Sequence, residues 1–260
     1  MNGDYSKELK FAKQLAIDAN QISDKYYKTE LKFKTKADTS PVTIADEEIN
    51  QLVIQRVKEI FPSHGVLGEE NSWESSREIL WVCDPIDGTI AFSMGDPVFM
   101  FSLALVVNGE PVLAVTRELA NAHTFWAVKG KGAFRDDKQI SVSKRKIGEA
   151  WLGFPTNLKW LYANQVIFQK LAEAAYQTNI IHGAVFKGML IAQGLADGVV
   201  LPQGGHPWDY AALKLIVDEA GGRVTDRSGN EQKYNGELNG VVSSNGQIHQ
   251  DLLNIVKANS

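Results

Sequence analysis

Cysteine is nearly absent from this chain: Cys83 is the only one in 260 residues. An internal disulfide is therefore excluded, as is a thiolate-rich metal centre, and any bound metal must be held by oxygen or histidine. Long apolar runs are missing as well. The longest, such as residues 98–107, are too short or too interrupted to span a bilayer, and Met1-Asn2-Gly3-Asp4 lacks the pattern of a secretory leader. Charge of one sign is also scarce, because 27 basic residues face 31 acidic ones with no block of like charges, and this argues against a nucleic-acid surface. The expectation is a soluble cytoplasmic protein that engages neither nucleic acid nor membrane. No internal repeat or low-complexity linker is present, and the length suits one large domain or two closely packed halves.

What is present begins with helical periodicity. Over residues 7–27, Leu9, Ala12, Leu15, Ala16, Ala19, Ile22 and Tyr26 recur at three- and four-residue spacing and predict an amphipathic helix. Residues 31–40, with Lys32, Lys34, Lys36 and Asp38, read as a polar loop or edge strand that could carry a cation towards a site. A second helix is expected after Pro41-Val42-Thr43, ending before Pro62, and Thr43 with Asp46 reads as a variant capping box. Asn108-Gly109 between apolar runs is the strongest hairpin signal, and residues 123–128 add a further strand, so this half is α+β. Beyond it, strands at 150–154, 179–182, 198–201 and 240–243 alternate with helices near 164–176, 184–196, 208–220 and 248–257, which is α/β in character. We divide the chain into an α+β half, residues 1–145, and an α/β half, residues 146–260, packed as one unit.

One stretch stands apart: Trp81-Val82-Cys83-Asp84-Pro85-Ile86-Asp87-Gly88-Thr89. The apolar run 79–83 predicts a strand, and Pro85, which cannot donate to a ladder, is expected to end it and leave Asp84 and Asp87 on a tight loop. Two acids so close repel each other unless something positive lies between them. A hard divalent cation accepts carboxylate and carbonyl oxygens, and the loop offers both. Gly88 and Thr89 follow at an expected helix start, where free N–H groups could hold a phosphate. Alone, the stretch fits a surface turn with two solvated aspartates better than it fits a site. Gly68-Glu69-Glu70-Asn71 adds a pair of acids on an earlier loop. Asp209 falls in the first turn of an apolar helix, where it either complements the dipole or presents an acid to a cation.

Taken together, Gly68-Glu69-Glu70, the stretch 81–89, and Trp208-Asp209 followed by Ala220-Gly221-Gly222 resemble the inositol monophosphatase family of magnesium-dependent, lithium-sensitive phosphatases. Echoes in Val42-Thr43-Ile44-Ala45-Asp46 and Gly130-Lys131-Gly132-Ala133 extend the resemblance over nearly the whole chain. It implies a layered αβαβα sandwich of the inositol monophosphatase/fructose-1,6-bisphosphatase type, two or three Mg²⁺ per site, and a homodimer acting on a small phosphorylated metabolite. It implies Glu69, Asp84, Asp87, Asp209 and the Ile86 carbonyl as metal ligands. Glu69, Thr89 and Asp46 would be catalytic, orienting and activating a water, with Asp46 also helping to bind a further metal. Asp87, Gly88 and Thr89 would hold phosphate oxygens, while Gly183, Ala184 and Asp209 would face the substrate. No covalent phosphoenzyme is implied.

The departures concern the substrate side. Where inositol-specific members carry a Glu about seven residues before the Trp-Asp aspartate, this chain has Pro202; the hydroxyl of the family's G-T/S-A motif is missing from Gly183-Ala184-Val185. An Arg usual shortly before that motif is absent from Asn179-Ile180-Ile181-His182. Gly95-Asp96-Pro97-Val98-Phe99 and the residues from Pro207 to Leu213 look more like the histidinol-phosphate phosphatase branch, although the acid that branch carries before Pro-Trp-Asp is missing. The expected activity is therefore hydrolysis of a small polar alcohol phosphate. Histidinol phosphate, 3′-phosphonucleotides and sugar phosphates are alternative substrates, and a non-catalytic ligand-binding homologue is the alternative of another class. Lys36, His206, Cys83 and the aromatics Trp151, Phe154, Trp160 and Phe186 are further candidates to line or shape the site, each with an ordinary solvated or packing role.

Overall fold

The computed structural model describes residues 4–28, 34–35 and 41–259; Lys32, Lys36 and Asp38 of the polar segment lie outside the described residues. The chain opens with α1 (Ser6–Tyr26), a two-strand ladder of β1 (Lys34–Thr35) and β2 (Pro41–Val42), and α2 (Ile44–Ile60). Seven strands then build the larger sheet: β3 (Gly65–Gly68), β4 (Ile79–Asp87), and, after the short helix α3 (Thr89–Met94), β5 (Met100–Val107), β6 (Glu110–Glu118), β7 (Thr124–Val128), β8 (Ala133–Arg135) and β9 (Lys138–Ile140), in that spatial order. All neighbours in it are antiparallel except β3 and β4.

The second sheet draws on the rest of the chain. Its strands are β10 (Trp151–Phe154), β11 (Gln177–Ile180), β12 (Gly198–Leu201), β13 (Arg223–Thr225) and β14 (Val241–Ser244), in the order β11-β10-β12-β14-β13. Helices α4 (Leu158–Ala163), α5 (Gln165–Ala174), α6 (Ala184–Ala192), α7 (Pro207–Glu219) and α8 (His249–Ala258) connect and follow these strands.

Side-chain parity explains the layering. Successive residues of a strand face opposite sides, and β4 is apolar on both: Trp81 and Cys83 pack with Ala12, Leu15, Ile49 and Val53 of α1 and α2. Leu80 and Val82 pack with Val185 and Met189 of α6 and Leu213 and Ile216 of α7. The same inner cluster reaches Val199, Val224 and Val241 of the second sheet, whose other face carries Leu152, Val200 and Val242 against Phe168 and Leu171 of α5 and Leu252 and Val256 of α8. The order is helices, sheet, α6 and α7, sheet, helices, which is the αβαβα sandwich expected.

One expectation needs correction, and other elements were not foreseen. Pro85 does not end β4: the strand runs to Asp87, with Asp84 opposite Ser102 and Asp87 opposite Met100. One extra residue on β4 forms a bulge there, so the missing Pro85 N–H breaks no ladder bond and the acids sit on a strand end, not a loop. The helix expected near 164–176 is α5, and the short helix α4, which meets it at Asn164, was not foreseen. The β8–β9 hairpin was not foreseen because its turn is Asp136-Asp137, held at φ 47° and 63° without glycine. The Asn108-Gly109 hairpin is as expected, with φ 52° and 85° as a type I′ turn demands.

Candidate metal centre

Parity also aims the acids. Asp84 continues the face of Leu80 and Val82, towards α6 and α7. Three residues on, a regular strand would turn Asp87 to the opposite face, but the extra residue of the bulge restores it to the side of Asp84. Asp209 arrives on the same side from the first turn of α7, a helix started by Pro207 at its first position. Ser102 on β5, the partner of Asp84, donates to the Trp208 carbonyl at 3.4 Å and so ties this helix start to the sheet. One carboxylate oxygen from each of Asp84, Asp87 and Asp209 lies within 4.8 Å of the others.

Glu69 is brought beside them by the parallel pairing of β3 with β4, its N–H donating to the Cys83 carbonyl at 3.1 Å. Burial pushes the Asp84 carboxyl well above its ordinary range, and the charges of Glu69, Asp87, Asp209 and Asp46 push it further. Asp84 is only 2% exposed, and among the described residues its Oδ1 has no hydrogen-bond partner. A buried carboxylate oxygen with no donor and four acids around it is stabilised only by a proton or a cation. Nitrogen and sulfur ligands play no part in the cluster, so the donor set suits a hard divalent cation such as Mg²⁺.

Asp87 has a different environment. Ala184 N–H donates to its Oδ1 at 2.8 Å, and Val185 and Phe186 N–H groups donate to Oδ2 at 2.9 and 3.3 Å. Burial raises its carboxyl to about 6, restrained by these amides and by the Lys187 charge. The residue before the helix, Gly183, has φ 77°, and a Cβ there would lie 2.5 Å from Asp87 Oδ2. Gly183 and Ala184, expected on the substrate side, thus sit directly against Asp87. Sequence reading missed this clamp; the signal available was a helix start at Gly183 with no side-chain cap, whose amides need an acceptor from elsewhere.

Thr43 and Asp46 do form the capping box. Thr43 N–H and Oγ1–H donate to Asp46 Oδ2 at 2.8 and 2.5 Å, while Asp46 Oδ1 faces Thr89, whose hydroxyl lies 3.4 Å from it and 3.1 Å from the Ile86 carbonyl. One carboxylate therefore caps α2 and reaches the centre. Burial, set against the Thr43 bonds and aided by Glu69 and Glu70, raises it to about 7. Gly88 precedes Thr89 with φ 93°, and a Cβ there would meet the Val98 carbonyl at 2.8 Å, so glycine is required.

The remaining candidates have other surroundings. Cys83 is fully buried in the core and its thiol is pushed well up by burial. His206 is exposed and stacks on Trp208 at 4.6 Å. Phe154 and Trp160 pack on Phe168, Trp151 is exposed beside Tyr176, and Phe186 packs against the inner core. Pro202 is buried at the end of β12.

Comparisons with known proteins agree with this geometry. A sequence profile described as the inositol monophosphatase family matches residues 4–260. The chain is 34% identical over 215 residues, 83% of its length and 82% of the other, to a Thermotoga maritima protein named fructose-1,6-bisphosphatase/inositol-1-monophosphatase. It is 32% identical to a histidinol-phosphatase of Mycobacterium tuberculosis, covering 96% of this chain and 98% of that one. The solved structure of a Thermotoga maritima IMPase superposes with a TM-score of 0.88 at 29% identity, covering 97% of both chains. With its acid centre, its layered fold and this end-to-end match, the chain belongs to the inositol monophosphatase family of phosphoric monoester hydrolases.

Proposed function

We propose that the protein is a Mg²⁺-dependent phosphomonoesterase that hydrolyses a small polar alcohol phosphate with water as the nucleophile. The observation that carries this reading is the convergence of the Asp84, Asp87 and Asp209 carboxylates, with Asp84 Oδ1 lacking a hydrogen-bond partner among the described residues. These three, with Glu69 and the Ile86 carbonyl, would hold the metal. When bound, Mg²⁺ supplies charge neutralisation at the phosphoryl oxygens and acidification of a water.

The protein's own groups do the rest. The α6 amides fix Asp87, so its carboxylate needs no rearrangement to serve as a ligand. Thr89 Oγ1 could pass its proton to Asp46 Oδ1 while accepting one from the attacking water, and Glu69 would help to orient that water. Gly88 and Thr89 N–H groups would bind the equatorial phosphoryl oxygens, an interaction that strengthens as charge builds. Asp209 and the segment around Gly183 and Ala184 would flank the alcohol.

Similarity to histidinol-phosphatase over almost the full length of both chains favours histidinol phosphate as a second substrate candidate beside inositol phosphates. Lithium inhibition, a cytoplasmic location and a homodimer belong to the same proposal. The test is phosphate release from inositol phosphate, histidinol phosphate, fructose 1,6-bisphosphate, other sugar phosphates and 3′-phosphonucleotides, with and without Mg²⁺. Mg²⁺-stimulated turnover of at least one is expected. Tight binding of an ester without hydrolysis over hours would favour a non-catalytic homologue.

A further inference from the structure

Among the described residues, Lys187 is the only lysine or arginine that is buried, at 9% exposure. Its position is unfavourable on general grounds. It is the fourth residue of α6, where the helix dipole favours negative charge and disfavours a cation, and a buried ammonium loses its hydration. The fold nevertheless makes room for it. Its methylenes lie over Gly153 on β10, where a Cβ would come within 2.8 Å of Lys187 Cδ and 3.2 Å of Cγ. At the far end, Nζ donates to the Ile181 carbonyl at 2.9 Å.

Ile181 begins the link from β11 to α6, and that link ends at Gly183, the residue pressed against Asp87. The ammonium therefore staples the link to the helix whose first three amides hold Asp87. It also lies within the field of Asp87 and Asp209, which raise its proton affinity against the loss from burial.

We propose that Lys187 is a positioning residue of the acid centre: by tying the Ile181 carbonyl to α6 it keeps the Ala184, Val185 and Phe186 amides aimed at Asp87. Gly153 is its counterpart, because only a residue without a side chain leaves the lysine stem its path. The inference rests on the proposed role of Asp87 as a metal ligand.

The experiment is a calorimetric Mn²⁺ titration of the whole protein stripped with EDTA, on wild type, Lys187→Met, Gly153→Ala, the double variant and Asp87→Asn. Lys187→Met keeps the stem and removes the donor, and its Mn²⁺ dissociation constant is expected to rise roughly five-fold, the scale of one hydrogen bond. Gly153→Ala should move it in the same direction, and the double variant should be no weaker than Lys187→Met, since both act on one contact. Leu171→Ala in α5 serves as a control: it should lower the melting temperature and leave Mn²⁺ affinity unchanged. An unchanged or tighter Mn²⁺ affinity in Lys187→Met would overturn the proposal, tighter binding meaning that the ammonium merely competes with the metal. If that variant does not fold, wild-type affinity in Gly153→Ala overturns it instead. A wild-type protein that takes up no Mn²⁺, or an Asp87→Asn variant that binds it unchanged, overturns the metal reading and this inference with it.

Discussion

Two fully enclosed aspartates in this molecule are handled in opposite ways. Asp197, wholly buried, accepts bonds from Trp151 N–H at 2.7 Å, Arg145 Nε at 2.8 Å, Asn245 Nδ2 at 3.1 Å and the Ser143 hydroxyl. Asp84 is almost as buried, but among the described residues its Oδ1 has no donor and the charges that act on it are those of acids. Burial alone is thus no mark of function. A carboxylate surrounded by donors and a guanidinium is a joint of the fold, and one surrounded by acids needs a proton or a cation. Asp87 stands between them, saturated on one side by amides and open to the acids on the other.

The contrast can be broken most sharply at the centre. Asp87→Asn should abolish hydrolysis while leaving the melting temperature equal to or above that of the metal-free wild type, because it removes like-charge repulsion; phosphate release and calorimetric melting measure the two. Retained activity would remove Asp87 from the metal site. Asp197→Ala should do the reverse, lowering stability by roughly 3 kcal/mol in urea unfolding, since Arg145 loses its partner, with turnover per folded molecule kept.

A smaller effect follows from protons. Asp46 and Asp87 titrate near 7 and 6 in the native state, above the ordinary carboxylate value of about 4. Between about pH 4 and 7 the native state binds more protons than the unfolded chain, so this contribution favours folding below that window and is lost as pH rises through it. His249, whose burial lowers its pKa to about 4, acts the other way: its contribution is complete above about pH 6.5 and lost as pH falls towards 4. Mg²⁺ replaces protons only at the acid centre. The melting-temperature difference between Mg²⁺-loaded and EDTA-treated protein should therefore widen from pH 5 to 8, and a constant difference would contradict the titration of these acids. Smallest of all, Thr43→Val should cost about 1 kcal/mol through loss of the α2 cap, with a modest fall in kcat as Asp46 loses one of its donors.

The clustering of Asp84, Asp87 and Asp209 and the layered fold were legible in the sequence through resemblance. The local geometry was not. Pro85 argued for a loop, whereas a bulge absorbed it, and only the bulge puts Asp84 and Asp87 on one side of β4. The clamp on Asp87 comes from amides 97 to 99 residues away, a contact that no local pattern encodes. Lys187 passed unnoticed because one lysine in an apolar helix ordinarily faces water. The capping box was correctly read, yet its acid also reaches Thr89, and spacing alone does not separate those roles.

The central claim is that Asp84, Asp87 and Asp209 share a divalent cation whose binding displaces protons from Asp84 and Asp87. The most direct measurement is the calorimetric titration of Mg²⁺ into EDTA-stripped wild-type protein at pH 6, repeated in two buffers of different ionisation enthalpy. Saturable binding with net release of protons is the expected result; no binding, or binding with no proton release, would contradict it.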